Sequence, residues 1–184
     1  MKIYYDTNSF WNYFLNHCNE NDELNRDLKE FSPLNEKYEK ITAPWTLDEF
    51  CHNFPRKLEG KRILKEEIKK KTEILTKLPI FLSFFTQETM DTRKINNLFL
   101  QLYLLARELD IISLTNEEKK IHSKDLLHLA YALISESDIL ITTDSKFECL
   151  ENYERIKEII KSYKLRRIII ADSKFEKIKK NIYF

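Results

Sequence analysis

The stretch HSKDLLHLAYALISESDILITTDSKF, residues 122–147, decides the fold. Its first half carries leucine and alanine at helical spacing, and its second half contains a short apolar run that ends in polar residues. A helix followed by a buried strand is typical of an α/β sheet. Two carboxylates, Asp125 and Asp144, stand at the rims of these most apolar elements, where an uncompensated charge is costly.

The same alternation extends through the chain. Strands are predicted at KIYY (2–5), KITA (40–43), DIISLT (110–115), DILITT (138–143) and RRIIIA (166–171). In the first half of the chain, helices are predicted over NSFWNYFLNHC after Asp6, in part of 20–31, over LDEFCHNF up to Pro55, and over 56–77. In the second half they are predicted over 91–109, with Asp91 or Thr92 as cap, and over 123–134, with Ser123 as cap. Two more are predicted from SKFECL onward and in a basic tail after the last strand. Strands alternating with helices predict an α/β fold with a mostly parallel sheet between helical layers.

Composition favours one domain over residues 1–184, with a lysine-rich helical elaboration at about 56–90. Hydrophobic residues make up 42% and charged residues 33%, and no apolar run approaches the length that spans a bilayer. The start, MKIYYDTNSF, is too polar to predict a signal peptide. We therefore expect a cytoplasmic protein with no membrane partner.

Cysteine and glycine usage argues against several classes of site. The three cysteines, Cys18, Cys51 and Cys149, lack the CxxC spacing of a zinc ribbon and predict buried or half-buried thiols. The single glycine, Gly60, leaves neither a GxGxxG turn nor a GxxxxGK[ST] phosphate loop. Nucleotide cofactors are therefore disfavoured.

The net charge of +1 conceals two basic segments. Residues 56–71 hold eight Lys or Arg against three Glu, and residues 161–180 hold eight against one Asp and one Glu. Such segments are either solvated faces or sites that meet phosphate. As RNA contacts we single out Lys61, Arg62, Lys65, Lys69 and Lys70.

The predicted topology brings acidic residues together. Asp6 and Asp144 each follow a strand, at the sheet edge where α/β sites lie, and Asp125 stands in the first turn of a helix. Each has a structural alternative as a cap, and Glu49 has one as the capping-box partner of Thr46. Together, carboxylates at one partly buried edge must protonate or acquire a cation, and oxygen ligands select Mg²⁺ or Mn²⁺.

At this point the chain resembles the PIN-domain nucleases. DTN (6–8), TLDEF (46–50), HSKDLLHLAYAL (122–133) and ILITTDSKF (139–147) resemble the four signature blocks of that family, in order and spacing. The likeness extends from Met1 to about the final strand, with no match in the lysine-rich insert. It implies a three-layer PIN-like fold and a metal-dependent endoribonuclease.

The resemblance also implies residue roles. The residues that match the family's acidic metal-binding and catalytic positions are Asp6, Glu49, Asp125 and Asp144, and those that match its supporting polar positions are Asn8, Thr142 and Thr143. Lys146 departs from the pattern, because many members carry an acidic residue there. This departure weakens a second metal site and leaves open one firmly held ion plus one recruited by substrate.

Two further features bear on the site. The sequence DSKFE occurs at 144–148 and again at 172–176, but only the first copy follows the DLLHLAYAL block, so we interpret Asp172 as a repeated cap. His128 lies among leucines and is interpreted as a packed core histidine rather than a base.

Three functions fit these residues. The first is an RNA-cleaving enzyme, either a VapC-like toxin held in check by an antitoxin or an RNA-processing enzyme. The second is a catalytically degenerate PIN-like module that binds RNA in a larger assembly. The third is another hydrolase such as a phosphatase, although Asp6-Thr7-Asn8 lacks a D-x-D pair. A homodimer could form through apolar faces around Trp11, Phe14 and residues 91–109.

Overall fold

In a computed structural model the described residues are 1–18, 26–49, 73, 75–86, 90–112, 120–172 and 177–184. Within them, five strands form one sheet in the order β2-β1-β3-β4-β5. Neighbours among the first four are parallel, and β5 runs antiparallel to β4. The strands are β1 (Lys2–Tyr5), β2 (Glu39–Thr42), β3 (Ile139–Thr142), β4 (Arg167–Ala171) and β5 (Ile178–Tyr183).

Helices cover both faces of this sheet, as the sequence predicts. Their described ranges are α1 (Thr7–Cys18), α2 (Arg26–Glu30), α3 (44–49), α4 (Leu78–Leu82), α5 (Thr92–Glu108), α6 (Ser123–Ile134) and α7 (Glu154–Lys161), with a 3-10 helix at Ser145–Asn152. Asp91 caps α5 by accepting hydrogen bonds from two backbone N–H groups of its first turn. The predicted α/β class and mostly parallel sheet are therefore confirmed.

Alternation along the strands divides the core into two layers. In β1, Ile3 and Tyr5 join the layer of α1, α2 and α4, whereas Tyr4 joins the layer of α5, α6 and α7. All three side chains are fully buried. A strand buried on both faces needs apolar residues at every position, which explains the uninterrupted apolar runs of β3 and β4.

The C-terminal tail is a correction. The predicted basic helix is instead strand β5, in which Ile182 is buried opposite Ile168 of β4. The lysine content suggested a solvated helix, but β4 offers an unpaired edge, and the isoleucines of this segment pack well on a pleated surface. Lys180 pairs with Glu151, so the charge lies along the sheet rim.

Other predicted boundaries also need correction. In the segment predicted as a strand at 110–115, the described residues form only an isolated bridge between Ile112 and Ile121. Asp110 has a positive φ of 53°, which turns the chain directly after α5. The N-cap position of α6 is His122 rather than Ser123. Pro44 lies inside the first turn of α3, where its missing N–H costs no hydrogen bond.

Several predictions depend on other parts of the chain. The single-domain organisation stays a prediction, because most of the insert at 56–90 lies outside the described residues. No helix among the described residues is long and apolar enough to cross a membrane. Phe14, which we expected on a dimer face, is buried in the core, whereas Leu100 and Leu104 of α5 are 52% and 58% exposed.

Candidate active site

Three aspartates stand at the carboxyl edge of the sheet, each tied to the start of a helix. Asp6 follows β1, and its Oδ1 accepts a hydrogen bond from the Ser9 backbone N–H at 2.7 Å. Asp144 follows β3, and its Oδ1 accepts from the Lys146 backbone N–H at 2.9 Å. Asp125 Oδ2 accepts from the His122 backbone N–H at 3.0 Å, in the first turn of α6. Each contact satisfies a donor that the helix leaves unpaired.

A shared threonine links two of these aspartates. The Thr142 hydroxyl donates to Asp6 Oδ2 at 2.5 Å and accepts from the Asp144 backbone N–H at 2.9 Å. Capping and site roles are thus compatible, because the same hydrogen bonds that end the strands also fix where the carboxylates point. Backbone N–H groups and the Thr142 hydroxyl therefore hold the carboxylates at this edge in position.

The three aspartates interact electrostatically. Burial, followed by the negative charges of Asp144 and Asp6, raises the pKa of Asp125 to about 7. Burial also raises the pKa of Asp6, against the lowering effects of His128, Thr142 and Ser9. Burial and the charges of Asp144 and Asp125 raise the pKa of the half-buried Cys149 thiol to about 11, so this thiol stays protonated near neutral pH. These carboxylates are close enough to repel one another.

The chemistry of these donors fits a hard divalent cation, since carboxylate oxygens are its preferred protein ligands and a cation relieves carboxylate repulsion. The placement of these side chains, however, does not form a complete set of metal ligands. Across the described ranges, no group of three or more His, Cys, Asp or Glu side chains is placed so as to hold a metal ion. Within the same ranges, Asp125 Oδ1 and Asp144 Oδ2 accept no hydrogen bond from the protein. These oxygens are the ones left for an external ligand.

Glu49 of α3 approaches the same edge and differs from the aspartates. Its Oε2 accepts from the Thr7 hydroxyl at 2.5 Å, and its Oε1 lies 3.2 Å from the Lys124 ammonium. A hydrogen bond from His128, together with Thr7 and Lys124, lowers the pKa of Glu49 to about 2. The capping-box interpretation is wrong, because Thr46 lies inside α3 and Glu49 turns toward Thr7 and Lys124.

His128 is buried, as expected, yet it is more than packing. The Tyr4 hydroxyl lies 2.5 Å from His128 Nδ1, and the tautomer of the ring decides which of the two donates. The other ring nitrogen, Nε2, lies 3.4 Å from Glu49 Oε2. A chain of polar contacts therefore runs from the centre of β1 to Glu49.

The predicted supporting residues are placed differently from one another. Thr142 contacts Asp6, whereas the described structure shows no side-chain hydrogen bond from Asn8 or Thr143 to the carboxylates, and Asn8 is exposed. Sequence reasoning missed Ser9 and Thr7, although both lie within three residues of Asp6. The predicted RNA contacts lie outside the described residues and stay predictions: Lys61, Arg62, Lys65, Lys69 and Lys70.

Comparison with known proteins gives one informative result. No protein-family model and no curated protein matches the sequence. A chain in the crystal structure of VapBC2 from Rickettsia felis, bound to a DNA fragment from their promoter, matches with a TM-score of 0.52 and 18% identity. The match covers 80% of this chain and 92% of the other. The fold is PIN-like.

The PIN-like fold places the three aspartates at the same edge of the sheet. Asp6, Asp125 and Asp144 lie at the carboxyl edge of its parallel strands, with Glu49 on the adjoining helix. At 18% identity the likeness shows the fold and not the chemistry. Roles for these residues must therefore be argued from their geometry and tested by substitution.

We expect acid to stabilise this PIN-like fold when no metal is present. The folded pKa of Asp125, about 7, exceeds its ordinary value of 3.8, so the folded state binds more protons and its stability falls as pH rises through this window. From pH 5 to pH 7.5 the loss is about 2 kcal/mol from this group. Thermal unfolding in EDTA at both pH values measures it.

Asp125→Asn is the matched comparison, since an amide does not titrate. The variant should lose this pH dependence and melt above the parent at pH 7.5. Glu49 does not interfere, because its stabilisation is lost only as pH falls from about 4.5 to about 2. Equal pH dependence in parent and variant would show that the pKa of Asp125 is not raised in the folded protein.

Proposed function

We propose that this protein is a metal-dependent endoribonuclease. One observation carries the proposal: Asp6 after β1, Asp144 after β3 and Asp125 in α6 meet at one edge, where burial and then the charges of Asp144 and Asp6 raise the pKa of Asp125. Buried carboxylates that repel one another destabilise a fold unless a cation or a proton relieves them. The presence of three such carboxylates beside Glu49, which is held by its own contacts, favours a metal-binding active site over a set of helix caps.

Each residue has a role in this proposal. Asp6, Asp125 and Asp144 would hold Mg²⁺ or Mn²⁺, which supplies Lewis acidity and lowers the pKa of bound water. Ser9 and Thr142 keep the Asp6 carboxylate in place. Glu49, kept anionic by His128, Thr7 and Lys124, would orient the attacking water as a hydrogen-bond acceptor.

RNA is the proposed substrate, and an antitoxin-type protein is the proposed partner. The substrate follows from the resemblance of the four sequence blocks to the PIN-domain nucleases. The partner follows from the likeness to VapBC2, which in the comparison structure is bound to a DNA fragment from its promoter. The basic segment at 56–71 would track the RNA backbone. The proposal covers a cytoplasmic enzyme that acts as a toxin or in RNA processing.

The purified full chain should cleave a labelled single-stranded RNA in Mn²⁺ or Mg²⁺ and stop cleaving when EDTA is added. The physical reason is that the carboxylate cluster alone repels the phosphodiester and has no means of activating water. Gel analysis of the products over time measures the effect, and DNA of the same sequence shows whether the 2′-hydroxyl matters.

Three results would count against the proposal. Cleavage that persists in EDTA would mean that the activity does not use a metal or belongs to a contaminant. RNA binding without cleavage in any divalent metal would favour the degenerate RNA-binding module. Release of phosphate from small monoesters, with RNA left intact, would favour a phosphatase.

A further inference from the structure

A lysine stands directly beside the carboxylate edge. The Lys146 backbone N–H donates to Asp144 Oδ1 at 2.9 Å, which fixes the residue at the start of the 3-10 helix. Its side chain crosses to the start of α6, where Nζ lies 2.5 Å from His122 Nε2. An ammonium has no lone pair, so Lys146 donates and the His122 nitrogen accepts.

The Lys146 ammonium does not neutralise the neighbouring aspartates. Among the described residues, no carboxylate oxygen lies within ion-pair distance of Lys146 Nζ, although Asp144 is two positions away. Lys124, the other lysine near the edge, pairs with Glu49 at 3.2 Å. Lys146 therefore places a positive charge beside the acidic cluster, while its ammonium donates a hydrogen bond to the His122 ring nitrogen.

A phosphodiester that approaches this edge meets unfavourable charge. Asp6, Asp125, Asp144 and Glu49 contribute up to four negative charges, and Lys124 compensates for one of them. Proteins hold nucleic-acid phosphates largely with Lys and Arg, because each contact releases a bound counterion. Lys146 is the described ammonium at this edge without a carboxylate partner, and it suits that contact.

We propose that Lys146 binds a non-bridging oxygen of the RNA phosphate at the site and that His122 holds its side chain in position. This inference rests on the proposed function, because it takes RNA as the substrate. It adds to that function a substrate-binding residue at a position where the PIN-domain nucleases often carry an acid. The carboxylates and the lysine then have separate tasks.

The test measures RNA affinity apart from cleavage. In the binding measurement all proteins carry Asp6→Asn, so that RNA stays intact, and binding of a labelled single-stranded RNA is titrated at several salt concentrations with Mg²⁺ present. Cleavage is measured separately, on the same lysine variants with Asp6 unchanged. Adding Lys146→Gln should weaken binding by about 10-fold. It should also reduce the slope of log affinity against log salt by about 0.7, the value for one lost single-strand phosphate contact.

Two variants control for charge and folding. Lys164→Gln also removes one positive charge, but Lys164 pairs with Glu136 away from the site, so its affinity and slope should stay near the parent's. Lys146→Arg keeps a cation and should restore most of the affinity. His122→Ala should weaken binding less than Lys146→Gln, and the double variant should be no weaker than Lys146→Gln alone, since both act through one ammonium.

The outcomes separate this inference from the proposed function. If the parent cleaves RNA and Lys146→Gln binds and cleaves like Lys164→Gln, the nuclease stands and the lysine contact is wrong. If the parent binds RNA without cleaving it and Lys146→Gln loses affinity, the nuclease is wrong and the contact stands. Failure of Lys146→Arg to restore affinity would also overturn the contact, because a cation at that point would not suffice.

Discussion

Asp144→Asn is expected to lower metal-dependent RNA cleavage by about 100-fold or more while the protein stays folded. The amide keeps the shape of the side chain and still accepts the Lys146 N–H, and Asn is as good an N-cap as Asp. It removes a negative charge that a divalent cation needs, and a bound metal contributes several kcal/mol to such a reaction. Cleavage rates at saturating and limiting Mn²⁺ measure the loss.

Asp172→Asn is the internal control that the chain itself offers. Asp172 begins the second DSKFE copy, follows strand β4, and accepts from the Lys177 N–H at 3.2 Å. It is therefore a strand-ending cap of the same chemistry, but it is not among the groups that raise the pKa of Asp125. The variant should cleave RNA at close to the parental rate.

The comparison of these two variants distinguishes a site from a set of caps. If Asp144→Asn cleaves as fast as Asp172→Asn, the carboxylate of Asp144 is structural. If both variants lose activity together with their folded circular dichroism spectrum, the strand-ending caps are more important for stability than we expect. Loss of activity in Asp144→Asn alone, with both proteins folded, supports the metal role.

Much of the fold could be predicted because its determinants are local. A buried parallel strand requires an apolar residue at every position, and a carboxylate directly after such a run marks the strand's end. Asp6 and Asp144 both obey this rule, so their presence at one sheet edge follows from parallel topology. Asp91 at the start of α5 is equally local, because a cap is set within three residues.

The C-terminal tail shows where local reasoning fails. Its lysines suggested a solvated helix, but strand β5 exists because β4 offers backbone groups to pair with and Ile182 can be buried. This is a property of the assembled sheet. An edge strand also tolerates the lysines that disfavour a central one.

The missing site residues have a similar explanation. Thr7 and Glu49 are 42 positions apart, and Tyr4 and His128 are 124 apart, so no spacing rule connects them. The leucines around His128 correctly predicted its burial but gave no sign of its hydrogen bonds, since packing and hydrogen bonding are not exclusive. A polar residue on an apolar helix face indicates a buried hydrogen-bonding partner, so such a partner could have been predicted for His128.

Asp125 and Glu49 are held in two different electrostatic states. Burial and mutual repulsion raise the pKa of Asp125, so a cation that binds this carboxyl would displace its proton into solvent. The hydrogen bond from His128, and those from Thr7 and Lys124, stabilise the anionic form of Glu49. Titratable groups whose surroundings move their pKa values apart indicate a division of labour, in which Glu49 is the residue kept ionised.

Glu49→Gln is therefore expected to fold normally and to lose about 10- to 100-fold in cleavage, the range seen when an oriented polar group beside a metal site is removed. The Gln side chain still accepts from the Thr7 hydroxyl at one atom. Its amide carries no negative charge to pair with Lys124, and its –NH₂ group cannot accept a hydrogen bond from the attacking water. Initial rates of cleavage measure the loss.

Asp48→Asn provides the control, since Asp48 precedes Glu49 on α3 and is exposed. A rotation of about 100° separates the two side chains on the helix. Removing either carboxylate changes the net charge equally, so a difference between the variants measures position and not charge. Impairment of Asp48→Asn alone would assign the required carboxylate to Asp48 instead of Glu49. Parental activity in both variants would leave the Thr7, His128 and Lys124 contacts as a structural anchor for α3.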